Sequence, residues 1–458
     1  VAAAIALTAI CASYGLALAR GGTIEVLWLA GGVALAGLVI VATLGFDALL
    51  VWGAVTAAAY PFVRLPSDDV LVTFDRAWVG ALLVVLLVVP RARPLSRTTK
   101  LVLLTLTWLV VAYGVRAATT PVETPNAVRT WLDGIVLPAV LFLVVARLAT
   151  TEERVVRLLG ALALGGGALG LLGIGQKVLG FDLASLTGGE IRYDQNVGVV
   201  RISGPYPVPE TYVLATTLTL AATLCWMQIR GSAALMLGSA LAGIQVLAIG
   251  LTFFRAGWIC ALIVVIAAFG LRPRRYGRLI GVVAAIAAVT FVSYGQLQQD
   301  SAVSARVQNT DNLKSRIASY SEGIALFRDE PVFGVGVNQF PAAAAAKPRA
   351  SFQGVNAEHN PHSSYVAQLA EQGIWGLVPL LAVTGAVWLL LRRYRRRARS
   401  RLDVILAAGA VGGALAYLLM SATLTMLPYS PSNLFFAALL GVVAARLDVL
   451  ARRGAAPA

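Results

Sequence analysis

Apolar runs of about 17 to 20 residues recur almost without pause along this chain, and that property limits its fold more than any other. As a helix, a run of that length covers roughly 30 Å of hydrocarbon. Backbone surrounded by lipid must satisfy its own hydrogen bonds, so a single run of this kind has only the helix open to it. The runs fall near 1–19, 24–44, 47–63, 76–90, 100–116, 131–149, 156–177, 211–229, 233–251, 256–271, 278–295, 364–391, 402–424 and 431–450. The expectation is an all-α polytopic membrane protein of about 12–14 transmembrane helices, with 47–63 and 76–90 short enough to be re-entrant or merged. Composition agrees: 58% of residues are hydrophobic and 13% charged, against a charged fraction of about 25% in soluble globules.

No solenoid-type repeat and no low-complexity linker divides the chain, so residues 1–458 read as one membrane domain. Val1 to Ala19 has neither an initiating Met nor a clear cleavage site. It reads as a transmembrane helix at the start of a trimmed chain, with a signal peptide as the alternative. Cys11, Cys225 and Cys260 all lie inside apolar runs, as small hydrophobes would.

The net charge of +15 is first a statement about topology, because Lys and Arg gather in short cytoplasmic loops. With both termini cytoplasmic, the loops at 91–100, 147–157, 230, 272–278, 392–401 and 446–453 fall inside and hold 22 of the 37 basic residues. The run from Arg392 to Arg401 is most simply a stop-transfer and headgroup cluster. Nucleic acid is a poor partner for this charge, since no large polar domain carries it.

Two loops take most of the remaining basic residues to the opposite side. In 180–210, β-branched sequence flanks the turn residues 194–198, which predicts a short hairpin, and Pro205, Pro207 and Pro209 then keep the chain extended. In 296–361, Ile317, Tyr320, Ile324 and Phe327 share one helical face, which predicts an amphipathic helix over about 313–328 lying along the outer surface. Asp329-Glu330-Pro331 ends that helix, Gly334-Val335-Gly336 makes a tight turn, and Ala342 to Ala346 with Pro348 reads as a mobile flap.

Chemistry-bearing residues collect on this outer side. His359 and His362 are the only two histidines in the chain. Asn360 as N-cap and Pro361 as first helical residue would put His362 in the first turn of a helix entering the membrane. An imidazole there can exchange a proton near neutral pH, or simply be an interfacial side chain that tolerates water. Arg201 precedes a helix entry, Arg255 sits at a junction between two helices, and Arg316 begins the surface helix. Arginine close to hydrocarbon is costly unless it meets an anion, and its guanidinium matches phosphate in a two-pronged geometry; headgroup contact is the plain alternative for any one of them. Glu210 and Glu371 are carboxylates near the same face, suited to capping a helix or pairing with arginine. The chain has no G-x-S-x-G, no H-E-x-x-H, no P-loop and no Asp-rich metal motif, and His359, His362 and Glu358 alone make a thin metal-ligand set.

In order, the motifs are Arg201-Ile-Ser-Gly204, Leu251-Thr-Phe-Phe-Arg255-Ala-Gly257, Arg316 with Pro331-Val-Phe-Gly334-Val-Gly336, and His362-Ser-Ser-Tyr365 with Glu371-Gln-Gly373-Ile-Trp-Gly376. This series resembles the O-antigen ligase and O-antigen polymerase superfamily of bacterial membrane glycosyltransferases, over about residues 200–380. Phe254 stands where that pattern has Ser, and Ser363 where it has Asn. The resemblance implies a GT-C-like membrane enzyme of the bacterial inner membrane with an extracytoplasmic active site. It implies transfer of a glycan from an undecaprenyl-diphosphate carrier to an acceptor hydroxyl on a glycan or glycolipid, without metal, nucleotide or other cofactor. Under it, Arg201, Arg255 and Arg316 would bind the diphosphate and His362 would be catalytic, with His359 and Glu210 as secondary candidates. A transporter or flippase for a lipid-linked or anionic solute is the competing reading. Glycine-rich sequence at 165–167 and 173–175 would suit the broken helices of that class, although the second half has no counterpart to it.

Overall fold

The computed structural model describes residues 44–61, 64–65, 72–88, 94–120, 122–181, 183, 193–194, 199–230, 232–269, 311–347, 350–358 and 360–453. The runs at 1–19 and 278–295, most of 24–44, and Cys11 and His359 lie outside them. Every other apolar run is a helix: α1 (Phe46–Ala59), α2 (Phe74–Val88), α3 (Arg97–Ala118), α4 (Thr124–Leu148), α5 (Glu152–Leu179), α6 (Pro209–Ile229), α7 (Ser232–Leu251), α8 (Arg255–Phe269), α11 (Ser364–Arg397), α12 (Arg401–Thr423) and α13 (Ser430–Arg453). Two further helices, α9 (Asp311–Asp329) and α10 (Phe340–Ala345), belong to the polar segment before α11. Eight of the described helices are long and apolar enough to cross a membrane. The protein is an all-α polytopic membrane protein.

α6 is the hub, packed against α5, α7, α8, α12 and α13. Its sequence allows burial on nearly every side because three of its polar residues are threonines that turn back on their own helix. Thr216, Thr219 and Thr223 donate to the carbonyls of Tyr212, Ala215 and Thr219 at 2.7 to 3.0 Å. Small residues on its neighbours let the backbones close in: a side chain at Gly166 of α5 would collide with Thr219, and one at Gly409 of α12 with Cys225. The glycines of 165–167 and 173–175 are thus packing residues in a helix that runs unbroken from Glu152 to Leu179.

Among the described residues, three two-residue antiparallel ladders decorate the loops. The predicted hairpin forms, pairing Tyr193–Asp194 with Val199–Val200. α9 also forms, but with a different face inward. Ser315, Ala318, Ser319, Glu322 and Leu326 are buried, while Ile324 is 42% exposed and Leu313 62%. α9 lies close on α11, with Gly323 against Val366, so small side chains take the contact and the larger apolar ones are left at the rim. The expected flap is likewise a packed helix, α10, with Phe340 and Ala344 buried.

The turn between α9 and α10 is locked into a break in α11. Gly373 leaves the helical path at φ 59°. The amides this frees on Ile374 and Trp375 donate to the carbonyls of Pro331 and Val332 at 2.9 and 3.0 Å. In return, the amides of Val335 and Gly336 donate to the carbonyls of Ala370 and Glu371 at 3.0 and 2.9 Å. Arg116 of α3 fastens the turn from the other side, donating to the carbonyls of Phe333 at 2.8 Å and Gly334 at 2.7 Å. Gly334 has φ 63°, and a Cβ there would run into the backbone of Ala370 to Gln372. Gly334→Ala is therefore expected to destabilise the protein by about 2–4 kcal/mol, from left-handed strain plus overpacking, read as a lower midpoint in detergent thermal unfolding.

Candidate active site

At one end of the bundle, α6, α8, α11 and α13 begin and α7 and α12 stop. Polar side chains there form two groups. The first is built on α9 and the strand-like segment before α11. His362 does not sit in the first helical turn. The helix starts at Ser364, and Ser363 is its N-cap, its hydroxyl accepting the Val366 amide. Asn360 caps no helix; its Oδ1 accepts the His362 amide at 3.1 Å, a local turn that competes with helix formation. His362 is left at φ 47°, a strained setting for a residue with a Cβ.

The imidazole is 13% exposed, and its Nε2 lies 2.8 Å from Oε2 of Glu358. That pairing makes Nε2 the proton-bearing nitrogen when the ring is neutral and leaves a lone pair on Nδ1. Nδ1 is buried and meets no hydrogen-bond partner among the described residues. Tyr320 of α9 donates to the backbone carbonyls of His362 at 3.3 Å and Ala422 at 3.4 Å, and Ser319 to that of Glu358 at 2.8 Å. Arg316, one turn before Tyr320, gives an Nη1 hydrogen to the Thr423 carbonyl at 3.4 Å, while its buried Nε has no partner among the described residues.

Glu358 is the partner that composition could not reveal, since in the sequence it was only a possible metal ligand. Its carboxyl lies below the ordinary value of 4.5, first because it accepts the His362 hydrogen bond, with help from Arg316 and against the effect of partial burial. A carboxylate depressed on folding stabilises the fold above its unfolded value, and that contribution disappears as pH falls through the folded one. Amide exchange in α9, corrected for intrinsic rates, is thus expected to stay slow from pH 7 to about 5 and to quicken below about 4.5. Glu358→Gln should remove this pH dependence.

The second group joins the entry of α6 to the α7–α8 junction. Arg201 lies 3.8 Å from Glu210, donates to the Thr252 carbonyl at 3.4 Å and sits 5.6 Å above the Phe254 ring. Phe254, the residue standing in place of Ser in the motif, thus supplies an aromatic face to the guanidinium. Arg255 begins α8, is exposed, and makes no hydrogen bond or ion pair with the described residues. Phe253 just before it has φ 52°. The groups are stitched together through α13: the Ser432 hydroxyl donates to the Thr211 carbonyl beside Glu210, and the Ser364 amide donates to Leu424, next to the Thr423 that Arg316 holds. Glu371 lies apart from both, with Oε1 accepting the Phe340 amide that opens α10. Among the described residues no three His, Cys, Asp or Glu side chains gather into a metal-ligand set.

Residues 238–381 match the O-antigen ligase family model. The matched region carries Arg255, Arg316, Glu358, His362 and the Gly334–Gly373 lock, while Arg201 and Glu210 precede it. Its eight long apolar helices make the chain a multi-pass membrane protein. No curated protein matches the chain. A solved structure described as "Structural coordination of polymerization and crosslinking by a peptidoglycan synthase complex" is similar at 18% identity and TM-score 0.42, over 77% of this chain and 97% of that one. A likeness at that level bears on neither mechanism nor substrate.

An apolar cavity of about 120 Å³ opens beside this site. It is bounded by α3, α4, α11, α12 and α13, with Ser364 and Tyr365 among its lining residues at one end of α11 and Leu391 near the other. Along α11 that separation is about 40 Å at 1.5 Å per residue.

Proposed function

We propose that this protein transfers a glycan from a polyprenyl-diphosphate carrier to an acceptor hydroxyl at the extracytoplasmic face of the inner membrane, as a ligase or polymerase of a cell-surface polysaccharide. The observation that carries this reading is the Glu358–His362 pair, held at 2.8 Å beside Arg316, whose Nε is unpartnered among the described residues.

The acceptor hydroxyl donates its proton to Nδ1 of His362 as its oxygen bonds to the anomeric carbon of the donor glycan. The bond from that carbon to the phosphate oxygen breaks, and its electron pair leaves with the lipid diphosphate. Glu358 orients the ring and stabilises the imidazolium, the part a carboxylate plays behind a catalytic histidine on many folds. Charge growing on the diphosphate is met by Arg316 and Arg255, with Arg201 at the α6 entry completing the cationic wall and Glu210 and Phe254 fixing its direction. The cavity along α11 suits a polyprenyl tail, whose apolar length matches walls of Val, Leu, Phe and Trp.

The test uses the purified full chain with a polyprenyl-diphosphate oligosaccharide and a glycan acceptor. One free lipid diphosphate released per glycan joined is the expected result. Movement of the lipid-linked glycan across proteoliposomes with no covalent product would overturn it in favour of a flippase.

A further inference from the structure

The far end of α11 carries a second cationic feature that the transfer reaction does not use. Between the start of α3 and the end of α11 lies a cavity of about 350 Å³ lined by Ser96, Arg97, Thr98, Arg393, Arg396 and Arg397. Arg393 ties the two helices together, its Nη1 donating to the Thr98 hydroxyl at 2.7 Å. Arg97, Arg396 and Arg397 have no hydrogen bond or ion pair among the described residues. Asp448, the carboxylate on the neighbouring stretch of α13, accepts the Ser96 amide and the Thr99 hydroxyl, and lines a separate recess with Arg147 and Arg452. Four arginines therefore line the cavity, and no carboxylate is among its lining residues.

Its surroundings say what kind of anion fits. Further into the bundle, α3 presents Leu101 (38% exposed) and Leu104 (67%). A cationic pocket at a helix end, continued by outward apolar side chains, has the shape of a phosphate with a hydrocarbon tail. We propose that this cavity is a binding site for the phosphate of an anionic phospholipid, whose acyl chains lie along the outward face of α3. The site is distinct from the catalytic one: 31 residues of α11 and its lead-in separate Arg393 from His362, about 45 Å along a helix.

Arginines at a membrane face also attract anionic headgroups diffusely, and the experiment must separate a shaped site from charge alone. The full chain in detergent is titrated with phosphatidylglycerol, phosphatidylcholine and inorganic phosphate, and bound lipid is counted by native mass spectrometry. Phosphatidylglycerol is expected to bind at least about tenfold tighter than phosphatidylcholine. The triple variant Arg97→Gln, Arg396→Gln, Arg397→Gln should lose that preference. The control triple Arg392→Gln, Arg395→Gln, Arg399→Gln removes the same amount of charge from the adjoining basic run outside the cavity, and should keep the preference within about twofold. Equal loss in both triples, or no preference in the parent, overturns the proposal. Displacement of phosphatidylglycerol by inorganic phosphate at equal concentration overturns the lipid as the source of the anion.

Discussion

His362→Asn is expected to lower glycan transfer by about 10²- to 10⁴-fold, the usual size of a general-base contribution. Asparagine is the sharper substitution than alanine because it tolerates the left-handed backbone that His362 adopts at φ 47°. The contacts that hold this turn in place run through backbone atoms: the 362 amide to Asn360, and the 362 carbonyl from Tyr320. Both survive the change, and only the bond from the ring to the partly exposed Glu358 is lost, so the variant should unfold close to the parent temperature. Loss of turnover with retained stability then reports on the ring itself. His362→Ala should show the same kinetic loss with a small added cost for strain. Turnover above about a tenth of the parent in the Asn variant would remove His362 from the role of base.

Arg446→Met is expected to cost about 3–5 kcal/mol of stability, because it strands a charge in the bundle. Arg446 and Asp403 are each 1% exposed, and the guanidinium reaches the carboxylate twice, at 2.9 and 3.1 Å. Tyr394 and Ser400 complete the shell of Asp403, donating at 2.8 and 2.6 Å. With Arg446 gone, the carboxylate keeps these neutral donors but loses the cation that offsets its desolvation. Converting both partners in Arg446→Met/Asp403→Leu removes the stranded charge and should restore most of the loss. Thermal unfolding of the two variants in one detergent checks this, and a double variant no more stable than the single one would refute it. Activity per folded molecule should hold in both, since this network sits with the basic end of α11 and α12, away from His362.

Much of this protein is legible from the chain alone. The apolar runs at 100–116, 156–177 and 402–424 became helices because a segment of that length in hydrocarbon has no other way to satisfy its backbone. The hairpin around 194–198 followed from β-branched residues on both sides of a turn cluster. Ordered motifs between Arg201 and Gly376 pointed to O-antigen ligase relatives because they combine rare polar residues with glycines at fixed points of helix entry. Such signals are local: each is written within about twenty residues, the span over which periodicity and length act.

Where polar groups meet was settled by the tertiary structure. Asn360 and Pro361 look like a helix start, yet the helix begins at Ser364 with Ser363 as its cap, because Asn360 spends its side chain on the His362 amide. The apolar stripe of α9 looked like its inner face, yet close approach to α11 selected Ser315, Ala318 and Ser319 instead. Glu358 beside His362, Gly334 seated in the break at Gly373, and Arg446 on Asp403 each depend on segments brought together by packing. Composition and periodicity determined that this chain is a bundle of membrane helices with a strongly basic end. The partner of each buried charge was decided only when the helices came together, because the energy of a polar contact depends on distance and desolvation, and neither exists until the fold does.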